Sequence, residues 1–357
     1  MRIAILGVGL IGGSIGLAAR EYVDDAEVVG FGRSPERLDR ALELGAIDRA
    51  AATLDDALEG ADACFACGPV AALPGQVSAA LALAGDDCVV SDVGSTKQHV
   101  VESTDDERFV GGHPVAGAET SGVEHARADL FQGATWYLTP SERSSGVLFE
   151  RLHRVVASLG GRPIAIDADT HDRLLATVSH LPHVLANVLV SQAARRLAQE
   201  EEPLPRIGPS FRDATRVAGA ASSVWTGIYL SNHDAIAAAV EEVAERLREV
   251  AGWLRAEDGA GLAAWNDQAR EDRRRLLEVD LTGGAVHELV LTVPNRPGIV
   301  AQVALALGRA DVNIVDMALS PAPDMSSGAI TLWIAGEGQA ERARDVIGEL
   351  GFPVAKL

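Results

Sequence analysis

The chain is nearly without lysine. Only Lys97 and Lys356 occur, and arginine carries the rest of the positive charge. Basic side chains are scarce altogether, 31 against 51 acidic ones, which gives a formal net charge of -20. That balance argues against a nucleic-acid partner, which calls for a basic patch or stripe. It also sets a condition on any anionic substrate: the summed field repels it, so a local cluster of arginine and histidine must overcome the repulsion. Arginine-for-lysine usage and a solubilising acidic surface account for most of this charge. Cysteine is equally sparse, with Cys64, Cys67 and Cys88 alone. Three thiols in 357 residues make no disulfide framework, and an odd number suits a reducing compartment. Cys64 and Cys67 have redox-motif spacing, yet they fall at the end of an apolar run over 61–66 that reads as a buried strand, so buried thiols are expected. Long apolar runs are also lacking. Residues 3–19, behind Met1 and Arg2, imitate a secretion signal, but glycines at 7, 9, 12, 13 and 16 make them a poor membrane-crossing helix. No other run reaches the roughly 18 residues that spanning requires. A cytoplasmic chain with no membrane partner is expected, and no internal repeat or low-complexity tract is found.

What is present is a globular composition, 47% hydrophobic and 23% charged, long enough for two or three domains. Over 1–167, short β-branched runs at 3–6, 27–31, 61–66, 88–93, 108–111, 135–138 and 163–166 alternate with Ala/Leu-rich helical stretches. That rhythm predicts an α/β fold with a doubly wound, mostly parallel Rossmann-type sheet. Over 168–282 the periodicity becomes helical, apart from a Pro/Gly-interrupted loop at 201–210, and an all-helical second domain is expected. After Gly283 and Gly284 a third pattern begins, in 285–357. Strands at 287–293, 313–319, 329–334 and 352–355 and helices at 297–309 and 339–350 give the order βαββαβ of a ferredoxin-like unit.

Gly7-Val8-Gly9-Leu10-Ile11-Gly12 follows the first strand and opens a helix, which is the context that makes a glycine fingerprint a dinucleotide site. Gly7 serves the tight turn, Gly9 lets backbone approach a pyrophosphate, and Gly12 lets the helix pack closely. About 20 residues on, an acid would accept from the ribose 2′-OH of NAD. Gly32 stands there instead. Arg33 and Ser34 follow it and suit a 2′-phosphate, which favours NADP over NAD. Ser34 also suits the N-cap, and Pro35 the first turn, of the next helix.

Three further segments have chemical character. Asp92-Val-Gly-Ser95-Thr-Lys97 follows a buried strand at the sheet edge where ligands bind. Gly111-Gly112-His113-Pro114-Val115-Ala116-Gly117-Ala118-Glu119 sets a histidine in what reads as a glycine-rich loop. Ser179-His180-Leu181-Pro182-His183 opens or kinks a helix in the second domain. His180 and His183 could ligate a metal, but no HExxH or carboxylate set completes a site and none is expected. His171-Asp172 reads as a helix start.

At these residues the sequence resembles the prephenate dehydrogenases, which oxidatively decarboxylate prephenate to 4-hydroxyphenylpyruvate in tyrosine biosynthesis. The resemblance continues through Phe211-Arg212-Asp213-Ala214-Thr215-Arg216 and Trp225. The last unit, with Pro294-Asn295-Arg296-Pro297-Gly298, is similar to an ACT domain, an amino-acid-sensing module. The resemblance implies that His113 accepts the hydrogen bond of the substrate 4-hydroxyl, a task for a neutral imidazole, and that Ser95 orients that hydroxyl. It implies Arg216 as the carboxylate clamp, assisted by His183 and His180, with Glu119 nearby and Trp225 either in the pocket wall or in the core. The family's lysine in the FKD segment is Arg212 here, which keeps the charge and changes the geometry. Lys97 has a second reading as a catalytic lysine of the kind found in sugar-acid dehydrogenases, although the Lys-Asn pairing of their second domain is not evident. Asn295, Arg296, Gly298 and Asn313 are the implied contacts of a tyrosine effector, and a homodimer is expected. Two alternatives stand beside this reading: an arogenate dehydrogenase, and a non-catalytic sensor of NAD(P) and amino acid.

Overall fold

The computed structural model describes residues 1–117, 120–198, 207–278, 286–322 and 326–355. The chain divides into two compact units, one made of Met1–Asp172, Thr226–Ser231 and Ala285–Leu357, the other of Arg173–Trp225 and Asn232–Gly284.

The first unit begins with β1 (Arg2–Leu6), α1 (Leu10–Tyr22), β2 (Glu27–Phe31), α2 (Pro35–Glu43), β3 (Arg49–Ala50), α3 (Leu54–Leu58), β4 (Ala63–Ala66), α4 (Leu73–Leu81), β5 (Val89–Asp92) and α5 (Gln98–Val101). The five strands form a parallel sheet in the order β3-β2-β1-β4-β5, with β1 at its centre. Residues 3–19, which imitate a secretion signal, fall in the first strand, the turn after it and the first helix. Side chains of β1, β4 and β5 are buried on both faces, as a parallel sheet covered by helices requires.

The sheet is not continued in parallel throughout. A second sheet holds β6 (Gly111–Pro114), β7 (Thr135–Thr139) and β8 (Arg162–Ala165), with α6 (Gly146–Ser158) between the last two. β6 runs antiparallel to β7, and β8 parallel to it. The strand expected at 108–111 is therefore displaced. Phe109 makes only an isolated bridge to Val90, and the strand proper begins at Gly111. Gly111 and Gly112 look like loop residues because glycine is depleted in strands. Here the close approach of other groups requires them: a Cβ on Gly112 would lie 2.6 Å from the Asp92 carbonyl oxygen.

The second unit is helical. α7 (Ala168–Leu175) begins in the first unit and runs through a π turn (Ala176–His180) into α8 (Leu181–Leu197). Pro182 explains the turn, since proline lacks an N–H and its ring crowds the carbonyl four residues back. The continuous helix Ala168–Leu197 has 30 residues and contains an 18-residue stretch of mean hydropathy 1.4, enough by length and composition to cross a membrane. No uninterrupted apolar run marks it in the sequence because Ser179, His180, His183 and Asn187 lie within it. α9 (Pro209–Ala214), α10 (Ser222–Ser231), α11 (His233–Arg255) and α12 (Gly259–Glu278) follow, α10 ending in the first unit.

The chain then returns to the first unit as β9 (Val286–Pro294), α13 (Ile299–Arg309), β10 (Ile314–Pro321), β11 (Ser327–Ala335), α14 (Glu337–Glu349) and β12 (Val354–Ala355). The four strands form an antiparallel sheet in the order β10-β11-β9-β12. This module shares one apolar core with the residues of β7, β8 and α6. Gly308 lies so close to the Ala165 carbonyl that no side chain fits there, and Arg309 pairs with Asp167 at 3.2 Å. Gly298 takes φ +79°, and a Cβ there would stand 2.5 Å from the Glu142 carbonyl oxygen.

Candidate active site

The fingerprint glycines sit at the carboxyl end of the central strand. Gly7 has φ +106°, a conformation open to glycine, and its N–H bonds to the Phe31 carbonyl at 2.8 Å. Gly12 packs directly on the Gly7 carbonyl. Gly9 caps α1 without any side-chain hydrogen bond and has open space where a Cβ would be. The first N–H groups of α1 therefore keep their capacity to bind an anion. Gly7, Val8 and Gly9 line a cavity of about 800 Å³ together with Arg33, Ser34 and Arg37. Leu10 and Ile11 are half-buried and pack on the core, and Gly12 is buried. An uncapped helix end, a glycine cradle and two guanidinium groups fit the phosphates of a dinucleotide. Ser34 lines the cavity and caps α2, accepting from the Arg37 N–H at 3.4 Å. Arg37 was not anticipated; its position three residues after the N-cap puts it in the first turn of α2, beside Arg33.

The three thiols are free. Burial pushes Cys88 up to about 11 and holds Cys64 and Cys67 well above the ordinary thiol range, so none has thiolate character at neutral pH.

At the end of β5, Asp92 organises the next loop. Its Oδ2 accepts from the Gly94 N–H at 2.8 Å and its Oδ1 from the Gly112 N–H at 3.1 Å. The Lys97 ammonium donates to Asp92 Oδ2 and, at 2.7 Å, to the Gly112 carbonyl. Both side chains are fully buried. Desolvation lowers the Lys97 pKa and the Asp92 carboxylate opposes that shift. Lys97 is thus a structural cation joining β5 to β6. Ser95 lies half-buried in the same loop, and Thr96 exchanges a hydrogen bond with Ser231 at 2.9 Å.

His113 follows Gly112 on β6, opposite Tyr137 of β7, and is 8% exposed. Its Nδ1 is 2.9 Å from Nε2 of His171, whose Nδ1 is 2.8 Å from Asp172 Oδ1. Asp172 also accepts the Lys97 N–H at 2.8 Å and the Gln98 N–H at 2.9 Å. His171 is completely buried, its edge also against the Tyr137 ring. Burial pulls its pKa down, and the nearby Lys97 does so further, against the upward pull of Asp172 and Asp92. The sequence reading treated His171-Asp172 as a helix start. Both residues do lie in the first turns of α7, but they are buried and bonded to the site.

The other expected substrate contacts belong to the second unit. Trp225 is half-buried and stacks on His183 with ring centroids 3.5 Å apart, and His180 meets the same indole edge-on at 6.1 Å. His180 Nδ1 pairs with Asn232 at 3.3 Å and His183 Nδ1 with Asn187 at 3.2 Å. Burial lowers the His183 pKa. These bonds fix two imidazoles on one indole. Arg212 and Arg216 are exposed on and just after α9. Glu119 lies outside the described residues. Among the described residues no group of three or more His, Cys, Asp or Glu side chains is placed to hold a metal ion.

In the last module, Asn295 and Arg296 line a cavity of about 240 Å³ together with Glu107, Ser145 and Val147. Gly298 faces the Glu142 backbone instead, and Asn313 is half-buried with its Oδ1 lacking a hydrogen-bond partner.

Residues 15–165 match the family model for the prephenate dehydrogenase nucleotide-binding domain, and residues 167–268 the model for the prephenate dehydrogenase dimerization domain. A prephenate dehydrogenase of Lactococcus lactis subsp. cremoris is 31% identical over 86% of this chain and 86% of its own length. The prephenate dehydrogenase of Bacillus subtilis is 29% identical over 97% of this chain and 95% of its own length. Among solved structures, prephenate dehydrogenase from A. aeolicus in complex with hydroxyphenyl propionate and NAD+ superposes with a TM-score of 0.73 at 28% identity, covering 77% of this chain and 98% of that one.

Proposed function

This chain belongs to the prephenate dehydrogenase family, and on that premise we propose that it oxidatively decarboxylates prephenate to 4-hydroxyphenylpyruvate for tyrosine biosynthesis. The observation that carries the reading is His113, a nearly buried imidazole whose Nδ1 is already engaged by His171, beside the loop that follows the dinucleotide-binding sheet. A nicotinamide dinucleotide, when bound, supplies the acceptor for the hydride that leaves C4 of the ring.

The rest falls to the chain itself. His113 accepts the proton of the 4-hydroxyl as C4 becomes a carbonyl. When the C1–carboxylate bond breaks and its electron pair enters the ring, the imidazole returns that proton to the phenolate oxygen. Aromatisation supplies much of the driving force, so the protein mainly positions groups. Ser95 orients the hydroxyl. Arg216 is the proposed clamp for a substrate carboxylate, with His180 and His183 held by Trp225, Asn232 and Asn187 as its assistants; Arg212 and Glu119 complete the set. In this proposal Arg212 and Arg216 supply the positive charge that an anionic substrate needs against a net charge of -20, and the histidines supply hydrogen bonds.

We propose NADP as the preferred cofactor, held at its 2′-phosphate by Arg33, Ser34 and Arg37. The absence of an acid at Gly32 supports this, although the A. aeolicus relative is described with NAD+. Losing one charge-assisted contact costs about 1.5–3 kcal/mol, so Arg37→Ala should raise KM for NADP by roughly 10- to 150-fold and leave KM for NAD nearly unchanged.

For 285–357 we propose an ACT-like regulatory module that senses tyrosine. The strand order β12-β9-β11-β10 is that of a ferredoxin-like unit. Asn295 and Arg296 are its proposed effector contacts, with Gly298 and Asn313 in support. Tyrosine titration of Arg296→Ala tests this; a curve unchanged from the parent rejects it. A homodimer through the helical unit is proposed from the matched dimerization domain and from exposed Val188, Leu189, Val190 and Leu254, and sedimentation tests it. Initial rates with NAD and NADP crossed against prephenate and arogenate decide substrate and cofactor together. Cofactor binding without turnover of either substrate would favour a sensor.

A further inference from the structure

The catalytic role proposed for His113 requires a lone pair on Nε2, and an imidazole alone does not guarantee one. Neutral histidine has two tautomers, and the one in use is set by what its other nitrogen meets. Around His113 those settings can be followed to their source.

Asp172 Oδ1 accepts the Lys97 N–H, and its Oδ2 accepts the Gln98 N–H. Both backbone groups are obligate donors, so the carboxylate oxygens act as acceptors. The third contact, His171 Nδ1 at 2.8 Å from Oδ1, must therefore also be a donor. A neutral His171 protonated at Nδ1 has its lone pair at Nε2. Burial disfavours the charged form of His171, with Asp172 and Asp92 pulling the other way and Lys97 adding to the burial effect. Nε2 lies 2.9 Å from His113 Nδ1, so it is His113 that donates there. The remaining nitrogen of His113, Nε2, is then the acceptor.

The same carboxylate does a second task. Its bonds to Lys97 and Gln98 N–H tie down the end of the loop that carries Ser95, at the start of α5. We infer that Asp172 positions both groups of the proposed site, His113 through the tautomer of His171 and Ser95 through the backbone of its loop. His171 and Asp172 are positioning residues in this scheme and touch no substrate. The inference rests on the role assigned to His113 above.

Two substitutions at His171 separate this role from simple packing. His171→Phe keeps a ring against Tyr137 and removes the acceptor. His171→Gln places an amide oxygen where Nε2 stands and keeps it. We expect His171→Phe to lower kcat for prephenate by roughly 10²–10³-fold, as loss of an orienting partner does elsewhere, with KM within threefold of the parent. His171→Gln should recover at least tenfold of that loss. Nitrogen-15 spectra of the imidazoles give a readout independent of turnover: His113 should be protonated at Nδ1 in the parent and shift towards the Nε2–H form in His171→Phe. Asp172→Ala should lower kcat at least as far as His171→Phe and speed amide exchange at Lys97. The inference is overturned by an Nε2–H tautomer for His113 in the parent, by unchanged kcat in His171→Phe, or by equal losses in the Phe and Gln variants. Failure of the parent to turn over prephenate would reject the functional reading instead, and the spectra would still decide the tautomer.

Discussion

Lys97→Met isolates the buried cation that joins β5 to β6. Methionine nearly reproduces the lysine stem, so packing around the fully buried side chain is kept and only the ammonium is lost. Two consequences follow from its contacts. Asp92 keeps the Gly94 and Gly112 N–H bonds but loses its counter-charge, and the Gly112 carbonyl loses a donor. An exposed pair would be worth at most about 1 kcal/mol. Removing one partner of a buried pair instead costs about 3–5 kcal/mol, because a charge is left in a site without water. Against a typical total stability of roughly 5–15 kcal/mol, that is a large share. Deleting both charges would not restore the loss, since the Gly94 and Gly112 N–H groups would then lack acceptors. Urea unfolding followed by circular dichroism measures the difference. A loss below about 1 kcal/mol would refute the reasoning, as it would mean that water or relaxation reaches this buried pair.

Three other outcomes are expected. His113→Asn should reduce turnover of prephenate by roughly 10²–10⁴-fold with substrate affinity largely kept; steady-state kinetics showing a raised KM and intact kcat would reassign the proton acceptor. Arg216→Ala should weaken substrate binding by about 1.5–3 kcal/mol, and an unchanged KM would move the clamp to Arg212. His153, buried in α6, has its pKa pushed down to about 4 by burial, with the Asp316 charge opposing and Arg154 assisting. The unfolded chain binds this proton near pH 6.5 and the folded one only near 4, so its stability contribution is whole above 6.5 and is lost as pH falls between those values. The loss amounts to about 3 kcal/mol. His153→Phe should flatten that part of the stability–pH curve, and a curve parallel to the parent's would contradict the assignment.

Local pattern was enough for much of the fold because β1, β2, β4 and β5 are short apolar runs punctuated by glycine and helix caps, and each pattern has one physical solution. The fingerprint was legible for the same reason: Gly7 is demanded by a turn and Gly12 by a helix contact, with the open space at Gly9 between them. β6 was misplaced because its glycines are imposed by contacts distant in sequence, the Asp92 backbone above all, and no local propensity records them. Lys97 showed no sign of its role for a related reason, since a buried cation is identified by the carboxylate and carbonyl that surround it. His171 and Asp172 read as a helix start and are one. Their bonds to His113, Lys97 and Gln98 join segments more than fifty residues apart. The 30-residue helix Ala168–Leu197 escaped run counting because Ser179, His180, His183 and Asn187 break the apolar sequence but not the helix.

The most direct test of the proposed chemistry follows carbon dioxide and cofactor reduction in the same reaction, with prephenate labelled in its ring carboxylate. One label should be released for each nicotinamide reduced, 4-hydroxyphenylpyruvate should accumulate in step, and both signals should fall together in His113→Asn. Cofactor reduction without release of label, or release without reduction, would contradict a coupled oxidative decarboxylation at this site.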